Sequence, residues 1–224
     1  MVPEKQPQPI TLEAHATITP EEIVIDAILS PHSWSERLAS FISKIGSPPV
    51  IALLGLISTI VTVALPGAWL WGAYYLLSAV VIPMLYILWL VHKGQVTDLD
   101  LHLREQRSKP FLVTLLGESV ALLTMLLYQA PKPFILLTGA ALTQTLLIFL
   151  ITLRWKISVH TSTAASITIL LWSLSGHPPT PLVIGIPLIA WSRIKLRRHT
   201  LAQTIAGTIL GLTVFAVTAW VLFD

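Results

Sequence analysis

The sequence contains no cysteine, which removes disulfide frameworks, thiolate metal sites and cysteine nucleophiles from consideration. Charge is scarce as well. Only 11% of the residues are Asp, Glu, Lys or Arg, against about 25% in an ordinary soluble domain. In their place 54% of the residues are apolar, and the mean hydropathy is +0.77. This composition excludes a water-soluble enzyme. The net charge of +3 is small, so the basic residues matter through their positions, and no nucleic-acid partner is expected.

Two segments differ in character. Residues 1–48 open with the polar, proline-rich MVPEKQPQPI, which cannot bury enough apolar surface to offset chain entropy and is expected to be disordered. It is not expected to be a signal peptide, because the first long apolar run begins only near Val50. Within this segment Trp34, Leu38, Phe41, Ile42 and Ile45 recur at helical spacing opposite Glu36, Arg37, Ser40 and Lys44. That pattern predicts a helix over 33–45, either lying on the membrane surface or packed on the protein itself. Residues 49–224 read as a transmembrane domain.

Apolar runs at about 50–65, 69–91, 111–129, 133–153, 160–175, 180–192 and 201–223 approach the ~20 residues that a helix needs to cross a bilayer. The fold class is therefore an all-α, polytopic membrane bundle of about seven spans, with six as the alternative count. Alternate loops carry the charge: Lys93, Arg104, Arg107 and Lys109, then Arg154 and Lys156, then Arg193, Lys195, Arg197 and Arg198. With seven spans these ten residues share one face with Lys5, Arg37 and Lys44, leaving Lys132 on the other. The positive-inside rule makes the basic face cytoplasmic, in a multi-pass protein of the plasma membrane. Most tryptophans, such as Trp69, Trp89, Trp155 and Trp220, fall near span ends and read as interfacial anchors.

A face with this many guanidinium groups, and with His160 and His199 at the starts of the fifth and seventh runs, suits a phosphate. Arginine pairs with phosphate oxygens bidentately, and helix N-termini present free N–H groups. An imidazole there can attack phosphorus or protonate the departing oxygen. The alternative is that the arginines only enforce topology and touch lipid headgroups.

Ser192-Arg193, five residues and then His199 resemble the third signature, S-R-x5-H-x3-D, of the type 2 phosphatidic acid phosphatase superfamily, within WSRIKLRRHTLAQTIAG running to Gly207. Ile157-Ser158-Val159-His160 is similar to the second signature, P-S-G-H. Lys109-Pro110, with Arg104 and Arg107 nearby, resembles the end of the first, K-x6-R-P. The resemblance spans roughly 92–215. It implies a lipid or isoprenoid phosphatase acting through a phosphohistidine, without a cofactor. In it His199 would be the nucleophile and His160 the acid, while Arg193, Lys109 and Ser158 cradle the phosphate.

The departures are specific. Gln203 stands in place of the aspartate, one helical turn beyond His199. Its amide oxygen can fix the imidazole tautomer but supplies no negative charge. Val159 replaces a glycine, and His102 stands where the family has lysine, so that phosphate contact is either lost or taken over by Arg104 or Arg107. Asp98 and Asp100 either hold Mg²⁺ against a diphosphate, pair with the neighbouring arginines, or orient His199. Glu118, the one acid well inside a run, should face the bundle interior, as a structural hydrogen-bonder or as part of the pocket. Two further functional readings follow: a Mg²⁺-dependent enzyme that ionises prenyl diphosphates for cyclisation or transfer, and an inactive relative that binds lipid phosphate. The expected partners are a lipid or prenyl phosphate and the bilayer.

Overall fold

The computed structural model describes residues 33–101 and 103–223. The tail expected to be disordered lies, over 1–32, outside the described residues, as does His102. Among the described residues the chain is all-helical. Its helices are α1 (Trp34–Ile45), α2 (Pro48–Val63), α3 (Ala68–His92), α4 (Ser108–Leu127), α5 (Lys132–Thr152), α6 (Val159–Ser175), α7 (Thr180–Lys195) and α8 (Leu201–Phe223). A short 3-10 turn, Arg104–Gln106, precedes α4.

Each long apolar run of the sequence forms a helix, and prolines and left-handed residues end them. Pro48 and Pro49 start α2, Gly176 closes α6 at φ 72°, and Pro179 precedes α7. Among the described residues, four stretches are long and apolar enough to cross a bilayer: Ala68–His92, Arg104–Leu127, Lys132–Thr152 and Leu201–Val221. A fifth arises if α1 and α2, bent by 44° at their junction, act as one span. The seven expected spans thus reduce to four or five by length. Helices α2, α6 and α7 have 16, 17 and 16 residues, about 25 Å of rise against a hydrocarbon core of about 30 Å. Leucines such as Leu70, Leu116 and Leu127 project outward, as in a protein whose solvent is lipid. This is a membrane protein.

Helix α6 sits at the centre, packed against α2, α7 and α8, while α4 pairs with α5 and α5 with α8. Its small and hydroxylated side chains, Thr161, Ser162, Ala165 and Ser166, are buried and let neighbouring helices approach. On α8, a Cβ at Gly207 would overlap Ser158 O, and one at Gly211 would overlap Ser162 O. These glycines, one turn apart, let the second and third turns of α8 pack directly on the start of α6. Thr161 Oγ1 donates to Thr204 O at 2.9 Å and Ser158 N to Gln203 O at 3.2 Å across the same seam.

Helix α1 divides its faces in a way the apolar stripe does not describe. Trp34, Phe41 and Ile45 of the stripe are exposed, while Ala39 and Ser43 are buried where α1 packs on α7. The most buried residues of α1 are small, Leu38 and Ile42 of the stripe are half-buried, and its other large apolar residues face outward.

Candidate active site

Three loops meet at one end of the bundle. Arg104 donates to Leu153 O at 3.1 Å, Arg107 to Ile157 O at 3.1 Å, and Lys156 Nζ to Arg198 O at 2.6 Å. Asp98 pairs with Arg198 at 3.0 Å and Asp100 with Arg193 at 2.7 Å. The basic loops grouped by parity are therefore in contact.

The Arg193-to-His199 spacing is a consequence of how α7 ends. Its last turn closes with Arg197 at φ 53°; Arg197 N donates to Ile194 O and Arg198 N to Arg193 O, both at 2.9 Å. This is the Schellman arrangement, which reverses the chain within a few residues. His199 N then also reaches Arg193 O, at 3.2 Å, so the imidazole returns beneath the residue that carries the guanidinium.

His199 is 6% exposed and His160 5%, and both line a single cavity of about 410 Å³ with Asp100 and Arg107. His199 Nδ1 lies 3.1 Å from Gln203 Oε1, and Thr200 N donates to the same oxygen at 3.2 Å. An atom that accepts from a backbone N–H is the amide oxygen, so Nδ1 carries the ring hydrogen and Nε2 keeps its lone pair. Burial pushes His199 far down from its ordinary value, to about 2, with the Arg107, Lys156 and Arg193 cations adding to the effect. The ring is neutral at neutral pH and nucleophilic at Nε2.

His160 Nε2 is buried with no hydrogen-bond partner. The same holds for Arg193 Nε, in a side chain only 1% exposed. The guanidinium's terminal nitrogen is shared between Asp100 and Ser43 Oγ, each at 2.7 Å. Burial raises the Asp100 carboxyl, but the charge and hydrogen bond of Arg193 outweigh it and leave the group below its ordinary value, ionised. Lys156 is lowered to about 8, first by burial and then by the repulsion of Arg107, Arg193 and Arg198.

The remaining expected residues divide. Ser158 is fully buried and caps α6, accepting from Thr161 N at 3.4 Å. Arg107 is 3% exposed and lines the cavity, whereas Lys109 is exposed and does not. Arg104 holds the α5 terminus and pairs with Glu105 at 3.4 Å. Asp98 and Asp100 each face an arginine. Among the described residues, no three His, Asp or Glu side chains gather as metal ligands. Ser43, absent from the expected set, reaches Arg193 from the first helix; the row Ala39, Ser43 and Gly46 was its only trace in the sequence.

Residues 109–224 match the model of a protein family described as the PAP2 superfamily. No curated protein and no solved structure matches the chain.

Proposed function

The chain belongs to the PAP2 superfamily, and from that premise we propose that it is a phosphatase of the plasma membrane acting on a lipid or isoprenoid phosphate through a phosphohistidine at His199. Members of this superfamily are generally phosphatases and typically need no cofactor. The observation that carries the reading is the shared cavity: a neutral His199 with a free Nε2, an unpartnered His160 and the buried Arg107 beside them.

In this mechanism Arg107 holds phosphate oxygens from the cavity wall. Arg193, which does not itself line the cavity but pairs with Asp100 on its wall, joins it when the substrate shares or displaces that carboxylate. Val159 and His160, in the first turn of α6 that Ser158 caps, line the same cavity. His199 Nε2 attacks phosphorus as the bond to the alcohol oxygen breaks. His160 gives its proton to that oxygen, its charged form being favoured by the bound phosphate anion. Water then attacks the phosphohistidine while His160 takes its proton, releasing inorganic phosphate and neutral His199. Gln203 fixes the tautomer throughout. The cationic side chains supply the charge stabilisation. The excess of Lys and Arg in the loops at this end favours a cytoplasmic site under the positive-inside rule, within reach of substrates made inside the cell.

The test is phosphate release from phosphatidic acid and from short and long prenyl diphosphates by the full chain, with an alkaline detergent quench, which preserves a phosphoramidate, to trap labelled protein. Acid-labile, base-stable labelling that His199→Ala abolishes together with turnover is the expected result. Turnover that persists in His199→Ala would reject the assignment.

A further inference from the structure

The chemistry above uses the charged end of the cavity and leaves its inner wall unused. Glu118 lies ten residues beyond Ser108, the start of α4, about 15 Å further along the helix axis. It is 4% exposed and lines the same cavity as His160 and His199. Thr145 Oγ1 donates to its Oε1 at 3.1 Å, while Oε2 is buried with no partner. Gln144, next to Thr145, accepts from Ser166 and donates to Ser162 Oγ at 3.1 Å. Gln144, Thr145 and Ser166 also line the cavity. Ser166 is six residues beyond His160 on α6, about 9 Å along its axis.

A polar wall thus runs inward from the histidines to a carboxyl with one open oxygen. A plain acyl or prenyl chain laid against it would leave that oxygen unsatisfied in a low-dielectric interior, which is costly. A hydroxyl both donates and accepts, so it satisfies the carboxyl in either protonation state.

We infer that the inner end of the cavity, at Glu118, Thr145 and Gln144, is a second recognition site, for a hydroxyl carried on the substrate's chain about 9 to 15 Å deeper in the bundle than the charged end that takes its phosphate. The position of the phosphorus rests on the phosphatase reading above; the hydroxyl site does not. The substrate class is then a hydroxylated long-chain phosphate ester, bound at both ends.

The probes are dodecyl phosphate and ω-hydroxydodecyl phosphate, presented to the full chain in nanodiscs. The expected result is a KM at least about tenfold lower for the hydroxylated ester. Glu118→Leu brings the two esters to the same KM, and Glu118→Gln, which keeps a polar amide in place, retains part of the difference. Hydrolysis of both esters by the wild type with equal KM overturns the inference and leaves the phosphatase reading standing. If neither ester is hydrolysed, direct binding of the same pair by tryptophan fluorescence decides, and the phosphatase reading stands or falls separately on phosphatidic acid and the prenyl diphosphates. Tighter binding of the hydroxylated ester upholds the inner site, and equal binding rejects it. An ω-ammonium ester bound more tightly than the ω-hydroxy ester would also reject it, in favour of charge pairing. The wild-type comparison holds even where a variant does not fold.

Discussion

A terminal nitrogen of Arg193 lies 2.7 Å from the Asp100 carboxylate, so the arginine proposed to grip phosphate already holds an anion of the chain's own. Substrate phosphate must share that guanidinium or displace the carboxylate. Arg193 is almost fully buried while Asp100 is 37% exposed, so Asp100→Asn leaves a buried cation with a weakened partner. The expected outcome is a loss of about 1–3 kcal/mol of stability, the lower part of the range for broken buried pairs because one partner reaches solvent. Inorganic phosphate or vanadate should restore the variant's Tm by more than it raises that of the wild type, since a ligand that binds only the folded state stabilises it in proportion to its affinity. Thermal unfolding with and without the anion measures both effects.

The positions of the helices were legible because apolar runs of this length have few other fates in a bilayer. Which cations enter the cavity was not legible. Arg107 and Lys109 are two residues apart where α4 begins, and two residues on a helix are about 200° of rotation; one therefore faces in and the other out. Arg107 is the one that faces in, where the carbonyls of Leu101 and the distant Ile157 accept its hydrogen bonds. Ser43 was hidden for a different reason. The large apolar residues of α1 set its hydrophobic pattern, yet its buried residues are the small Ala39 and Ser43, a feature that hydropathy does not weigh. The surroundings of His199 were legible because its partners are local: Gln203 follows it by one turn, and the end of α7 returns it to Arg193.

Gln203 is predicted to set the rate. With Gln203→Leu the Nδ1 hydrogen loses its acceptor, the tautomer is no longer fixed, and kcat should fall by about 10² or more. Gln203→Glu keeps the length and adds a negative charge that stabilises the imidazolium of the departing step. It should raise kcat and shift the acid limb of the rate profile to higher pH. Equal rates for all three proteins would show that the amide plays no part.

The helix seam at the histidines depends on two absent side chains. Gly211→Ala puts a Cβ onto the Ser162 carbonyl, which as backbone cannot rotate away. It should force α6 and α8 apart, reducing the yield of monodisperse protein in detergent. Gly185→Ala is the control, because a Cβ there meets nothing within 4 Å in the middle of α7. Replacing that glycine should be neutral or stabilising by up to about 1 kcal/mol, through helix propensity and a less flexible unfolded chain.

Arg197 holds a left-handed conformation at φ 53°, at the position in a Schellman closure where glycine carries no steric cost. Its side chain is exposed and makes no part of the proposed mechanism. Arg197→Gly should stabilise the protein by roughly 1 kcal/mol or less, since relief of the left-handed strain is partly offset by a more flexible unfolded chain. Thermal unfolding shows it as a small rise in Tm with turnover retained.

The pH profile separates the two shifted groups. His199 is lowered to about 2, so as pH falls it stays neutral and nucleophilic far below the ordinary histidine range. The profile of kcat/KM, which reports the free enzyme, should therefore show no loss near pH 6.5 from this residue. Lys156 is lowered to about 8, so as pH rises through that value it loses its proton and the site loses one positive charge. Phosphate affinity should then fall, and kcat/KM should decline by several-fold between about pH 7 and pH 9. Lys156→Arg carries a charge that does not titrate in this range, and it should move the decline to higher pH. A wild-type profile that stays flat through pH 9, or an arginine variant with an unmoved limb, would remove Lys156 from the phosphate field.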